Sequence, residues 1–182
     1  MLAPTQLLSA SHRNLWRLTW IRLLVLSAQA GTLGFAYLSN LVTLEWMPLL
    51  VILVFSLSMC LLTSLRLRGN WPVTEFEFAA HLAMDLLIHS ALLYYVGGST
   101  NPFVAYYLVP LTIAAATLPW LYSIVLSGFA LTGYTALLIW YQPLHLQGER
   151  VDELLITLHL FGMWLNFALS AAFITFFVSK MS

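Results

Sequence analysis

Gly97-Gly98-Ser99-Thr100-Asn101-Pro102-Phe103 joins two apolar runs, 78–96 and 103–118, and the fold follows from how this stretch is read. Gly97 can end a helix in the left-handed conformation, Asn101 can cap the next one, and Pro102 suits a first turn, where its missing N–H costs nothing. The stretch therefore predicts a tight connection between two apolar helices. Its two glycines, its Ser-Thr-Asn cluster and the helix N-terminus behind it also describe a place where a polar head group can approach backbone N–H groups.

The rest of the chain repeats the pattern of long apolar run and short breaker. Of 182 residues, 61% are hydrophobic and 8% charged, more apolar surface than one small soluble domain can hide. The runs approach the roughly 20 residues needed to cross a bilayer as helix and lack the alternation of a membrane barrel. The expected fold is an all-α membrane protein, a six-transmembrane-helix bundle forming one domain, 1–182. Its helices are expected at about 15–38, 47–65, 75–96, 102–118, 121–141 and 153–178. The first run reads as a retained span, because no small-residue cleavage site precedes the second. Pro110 lies inside the fourth and predicts a kink where Tyr106 O loses its partner. The single cysteine, Cys60, allows no internal disulfide and reads as a small buried hydrophobe.

Orientation is read from the basic residues. Arg13, Arg17, Arg22, Arg66, Arg68 and Lys180 fall on one side of a six-helix arrangement and Arg150 on the other, which predicts cytoplasmic termini. The connections at 39–46, 97–103 and 142–152 then face outward, none of them long enough to fold as a separate sensing domain.

Three patterns carry chemistry or packing. His81, Asp85 and His89 recur every four residues on one face of the third helix, with His89 about 12 Å and Asp85 about 18 Å along the axis from Gly97. An ionised Asp at that depth demands a partner or a wet cavity, so the row is either a polar ladder holding the bundle or a set of ligand partners. The two histidines, about 12 Å apart, cannot share a metal ion; a haem would need His89 with His159. Ser27/Gly31, Ala30/Gly34 and the Ser123 to Gly133 region offer small-residue faces for close packing. His159, Gly162, Asn166 and Ser170 form a stripe that must face protein or water.

Gly97-Gly98-Ser99-Thr100-Asn101-Pro102-Phe103 resembles the GGxxNPF heptapeptide of the RegB/PrrB redox-sensing histidine kinases, in sequence over about Asp85 to Thr112 and in topology over the whole chain. The resemblance implies a two-component sensor in the bacterial inner membrane, working as a homodimer and binding quinone, ubiquinone first. It carries Gly97, Gly98, Asn101, Pro102 and Phe103 over as quinone-site residues. Ser99 and Thr100 occupy the variable positions, and His89 and Asp85 join the site by their depth below it. Oxidised quinone only accepts hydrogen bonds whereas quinol also donates, so donors such as Asn101 are expected to favour one redox form. The family's histidine box, ATP-binding glycines and redox-responsive cysteine do not occur in these 182 residues. The chain therefore reads as the membrane region without its kinase core: no catalytic residue, no metal, no nucleic acid, and a response regulator reached only through that core. The alternative reading is a haem- or quinone-binding membrane anchor subunit of a respiratory enzyme.

Overall fold

The computed structural model describes residues 4–39, 42–69 and 71–146, together with 156–157, 159–165, 167–168 and 175. Helix α1 spans Pro4–Ser39, strand β1 Val42–Thr43, α2 Trp46–Arg68 and α3 Glu75–Tyr95. After α3 come a short 3-10 turn, Gly98–Thr100, a 3-10 segment, Pro102–Tyr107, then α4 Leu108–Thr117, α5 Trp120–Ile139 and strand β2 His145–Leu146. Residues 156–157, 159–165, 167–168 and 175 are helical as well. Among the described residues, four helices are long and apolar enough to cross a membrane, within Ser11–Ser39, Trp46–Arg68, Glu75–Tyr95 and Trp120–Ile139.

Local sequence explains most boundaries. Thr74 caps α3, its Oγ1 accepting from Glu77 N at 3.1 Å, while Glu75 and Glu77 place negative charge at the positive end of the helix dipole. At the same end Arg66 donates to Pro72 O and pairs with Glu77 at 3.1 Å. His12 Nε2 lies 3.1 Å from Leu67 O, serving a carbonyl in the last turn of α2 that has no partner within its own helix. This contact accounts for the first departure from expectation. Helix α1 begins at Pro4 rather than near residue 15: the polar stretch before the span continues as helix, and His12 on it reaches the end of α2.

The second departure concerns the fourth helix. The expected continuous α-helix over 102–118 with a kink at Pro110 is instead a 3-10 segment followed by α4. Pro110 is the third residue of α4, so its missing N–H falls in a first turn and breaks no ladder. The carbonyl of Tyr106, which Pro110 leaves unserved, is reached by Leu108 N–H, shared with Ala105 O. Changing the hydrogen-bond period before the proline removes the need for a kink after it.

Helix α3 is the hub, in contact with each of α1, α2, α4 and α5. In its apolar window 39% of residues are buried, against 17% in each of the other three long helices, whose outer faces present Phe35, Val51, Leu62, Val125 and Leu131. Phe78, Leu82, Leu86 and Leu93 of α3 meet Leu15 and Ile21 of α1, Val109 and Ile113 of α4, and Leu126 and Leu137 of α5 in one core. In lipid such packing has no hydrophobic drive behind it, so close fit and interhelical polar contacts have to hold the helices together.

At the Gly97 end, β1 and β2 pair antiparallel, Val42 opposite Leu146 and Thr43 opposite His145. Gln142 N donates to Tyr94 O at 2.7 Å, so the two connections on this side and the 97–103 turn form one layer. Close approach of α5 to α3 uses a predicted small residue: a Cβ on Gly133 would stand 2.9 Å from Ser90 Oγ. The small-residue face of α1 behaves differently, for Gly31 and Gly34 have no heavy atom within 4 Å of an added Cβ. Cys60 is buried, as its reading requires.

Candidate functional site: the cleft beneath the 97–103 turn

The heptapeptide folds onto itself before it offers anything to a ligand. Gly97 takes φ +100° and Gly98 φ +60°, both left-handed. Thr100 Oγ1 donates to Gly97 O at 2.7 Å. Asn101 closes the turn from both sides, its Nδ2 donating to Val96 O at 2.6 Å and its Oδ1 accepting from Phe103 N at 2.9 Å. The α3 terminus and the 3-10 N-terminus are thus satisfied by one side chain.

Gly98 has no room for a side chain, since a Cβ would lie 2.4 Å from Tyr141 Cβ and 3.1 Å from Leu137 O. Pro102 packs on the last helical segment, where a Cβ on Gly162 would come within 2.6 Å of Pro102 Cγ. The turn is wedged between the end of α5 and residue 162.

Below it lies a cleft of about 110 Å³ between α1, α3 and the 3-10 segment. Its α1 wall carries Val25, Ala28, Gln29, Thr32 and Leu33, and its α3 wall His89, Leu92, Leu93 and Val96. Asn101, Phe103 and Tyr106 form the roof and flank, and Leu165 closes one side. His89 is 4% exposed. Its Nε2 sits 3.1 Å from Phe103 O, and since a carbonyl only accepts, Nε2 carries the proton. The ring is held between Tyr106 and Tyr107, centroids 4.9 and 5.1 Å away, and Tyr107 OH is itself fixed 2.5 Å from Ser90 Oγ. Among the described residues His89 Nδ1 is buried and has no hydrogen-bond partner.

The row His81, Asp85, His89 divides in two. Arg22 of α1 donates from Nε to Asp85 Oδ1 at 2.6 Å and from Nη2 to His81 O at 2.7 Å, with Nη1 3.3 Å from His81 Nδ1. Arg22 is 6% exposed. Asp85 is therefore the anchor of an interhelical ion pair and does not line the cleft, whereas His89 does. Of the nine residues named from the sequence, the structure brings His89, Asn101 and Phe103 to the cleft wall. Gly97, Gly98 and Thr100 shape the turn above it, Pro102 docks it on Gly162, and Ser99 is half-buried within it. His159, the second half of a bis-histidine haem pair, is exposed; Asn166 and Ser170 of the same stripe lie outside the described residues.

Sequence reasoning passed over Arg22, reading it only as an orientation charge. The signal was present, as one cation well inside an apolar helix and one acid well inside another. It also passed over Gln29 and Tyr106 as cleft residues. Comparison of the chain with family models, with curated proteins and with solved structures gave no match.

Proposed function

We propose that this chain is the membrane sensor region of a RegB/PrrB-type redox-sensing histidine kinase, and that the cleft under the 97–103 turn takes the head group of a quinone. The observation that carries the proposal is an almost wholly apolar cleft between α1 and α3, walled by the heptapeptide's own Asn101 and Phe103 and by the buried His89. Its volume, about 110 Å³, is below the roughly 300 Å³ at which pockets for whole drug-sized ligands begin. It fits one ring, with an isoprenoid tail left to the lipid.

A bound quinone supplies a redox-dependent change in hydrogen-bond donors. The chain's residues hold and read it. Leu92, Leu93 and Val96 exclude water, Phe103 and Tyr106 offer aromatic faces, and Gln29, His89 and Tyr106 offer hydrogen bonds. Coupling outward uses two contacts: His89 Nε2 on Phe103 O ties the cleft to the 3-10 segment, and Pro102 on Gly162 ties that segment to the last helical segment. A ligand that shifts the His89 ring shifts the turn, and the turn moves the helical segment 159–165 on which Pro102 rests. Differential affinity of the two arrangements for the two redox forms is what drives such a shift.

In this reading six helices span the bacterial inner membrane with both termini cytoplasmic, and the protein signals as a homodimer to a kinase core and its response regulator. With Arg22 buried against Asp85, the orientation rests on Arg13, Arg17, Arg66, Arg68 and Lys180 against Arg150, an excess of the same sign.

The test is saturable binding of a short-chain benzoquinone to the protein in lipid nanodiscs, followed by tryptophan fluorescence, in wild type and Ala28→Trp. Ala28 lines the cleft yet is exposed on the α1 surface, so the larger side chain fills the cleft without invading the core. Binding lost in the variant at unchanged helicity supports the site. No saturable binding in the wild type, or equal affinity in both proteins, counts against it.

A further inference from the structure

We propose that the groove between α1 and α2, at their basic ends, binds an anionic phospholipid, with one acyl chain in the groove and the phosphate held by Arg13 and Arg68. The inference is independent of the cleft and of the quinone reading. Helices α1 and α2 run antiparallel, joined at one end by Tyr37 and Trp46, ring centroids 5.2 Å apart, and at the other by His12 Nε2, 3.1 Å from Leu67 O. Between these ends they leave a space of about 170 Å³, walled by Trp16, Trp20 and Leu23 of α1 and by Leu57, Cys60 and Leu61 of α2. Trp20, Leu57 and Leu61 are each more than half exposed, so the space opens on the outer surface of the helix pair.

The interior of the groove makes no polar demand. Thr19 and Ser64 also line it, but their hydroxyls donate to Leu15 O and Cys60 O, each at 2.8 Å. Such walls take hydrocarbon, and in a bilayer the hydrocarbon at hand is a lipid chain. Apolar walls do not choose between lipids; the rim does.

Arg13 precedes Trp16 by three residues and Trp20 by seven, and Arg68 follows Ser64 by four and Leu61 by seven. Each arginine therefore continues a groove-lining helix face one turn beyond the groove, and the His12–Leu67 contact brings the two levels together. Helical side chains lean toward their own N-terminus, which carries Arg68 back over the groove and Arg13 outward toward water. Both are exposed, and among the described residues neither has an ion-pair partner. The neighbouring cations are engaged: Arg66 pairs with Glu77, Arg22 pairs with Asp85, and Arg17 donates to Asn14 Oδ1 at 3.4 Å. Arg13, Arg17, Arg66 and Arg68 stand against Glu75 and Glu77 at this end, so its charge is positive among the described residues. A phosphate between Arg13 and Arg68 answers that charge, and basic rims between membrane helices select anionic head groups.

The experiment measures lipid retained by the protein, by native mass spectrometry from non-ionic detergent, on titration with phosphatidylglycerol or with phosphatidylcholine of the same chains. Wild type is compared with the double variant Arg13→Gln with Arg68→Gln, and with Leu61→Trp, which fills the groove; all three positions are exposed, so the core is left intact. Expected are phosphatidylglycerol binding about tenfold tighter than phosphatidylcholine in wild type, loss of that preference in the double variant, and weaker retention of both lipids in Leu61→Trp. The unfolding midpoint gives a second readout, raised by phosphatidylglycerol in wild type and unmoved in the double variant. Equal retention of the two lipids by wild type, a preference that survives loss of both arginines, or binding unaffected by Leu61→Trp overturns the inference. Displacement of the lipid by an equal concentration of glycerol phosphate also overturns it, since the site would then take free phosphate.

Discussion

Gly98 shows how little freedom the heptapeptide has. Its φ of +60° and the 2.4 Å approach of Tyr141 Cβ to an added Cβ act in the same direction. Gly98→Ala is expected to cost about 1–3 kcal/mol, seen as a lower midpoint of thermal unfolding in detergent. Asn101 is a second such point. Removing its cap and its bond to Val96 O with Asn101→Ala should cost about 0.5–2 kcal/mol. Asn101→Asp keeps the acceptor for Phe103 N but sets a carboxylate against the Val96 carbonyl, so it should not restore stability. If Asn101→Asp unfolds at the wild-type midpoint, the Nδ2 bond contributes nothing. These side chains build the turn first, so loss of ligand in an Asn101 variant reports a collapsed turn as readily as a lost contact.

At the scale of elements, α1 and α3 are joined by the Arg22–Asp85 pair, with His81 as a further acceptor. In a bilayer, where apolar surface gains nothing by leaving lipid, such a pair is among the few strong directional links between two helices. Removing one partner strands a buried charge. Asp85→Leu alone is expected to destabilise by about 3–5 kcal/mol, and the double variant Arg22→Met with Asp85→Leu to recover most of it. A complete double-mutant cycle by unfolding in mixed micelles measures this, and additive costs would show that the pair is not coupled. The small-residue face at Gly31 and Gly34 is open within the chain, so Gly31→Leu should leave the unfolding free energy of the monomer within about 1 kcal/mol of wild type, any change being the gain in helix propensity.

For the whole molecule, the β1–β2 ladder places connections that are a hundred residues apart in sequence on the same end as the 97–103 turn. Val42 and Leu146 are directly opposed, and opposed residues in an antiparallel ladder stand about 4.5–5.5 Å apart at Cα, within disulfide range. In a Cys60→Ser background, Val42→Cys with Leu146→Cys is expected to form a disulfide in intact cells if this end faces the oxidising side, as the basic residues imply. A pair that stays reduced in cells but closes on adding oxidant to the purified protein would invert the orientation and keep the ladder.

The sequence by itself determined the helical class, the ends of the second, third and fifth helices to within a turn, and the local form of the heptapeptide. Each depends on neighbours close in sequence: the length of an apolar run, a Thr or Asn cap, a glycine at positive φ, a proline in a first turn. Even the fourth helix failed locally, since a proline predicts a break but not that a change of period will absorb it. The tertiary structure alone decided the partners. Arg22 and Asp85 are 63 positions apart, and His12 and Leu67 are 55 apart. Whether an intramembrane acid lines a cavity or binds a cation depends on which helix lies beside it, and apolar surfaces alike in composition do not encode that choice legibly. The same holds within the row of three. His81, Asp85 and His89 share one face by helical geometry, but packing turned two of them to Arg22 and left the third beside the cleft, held by Phe103 O.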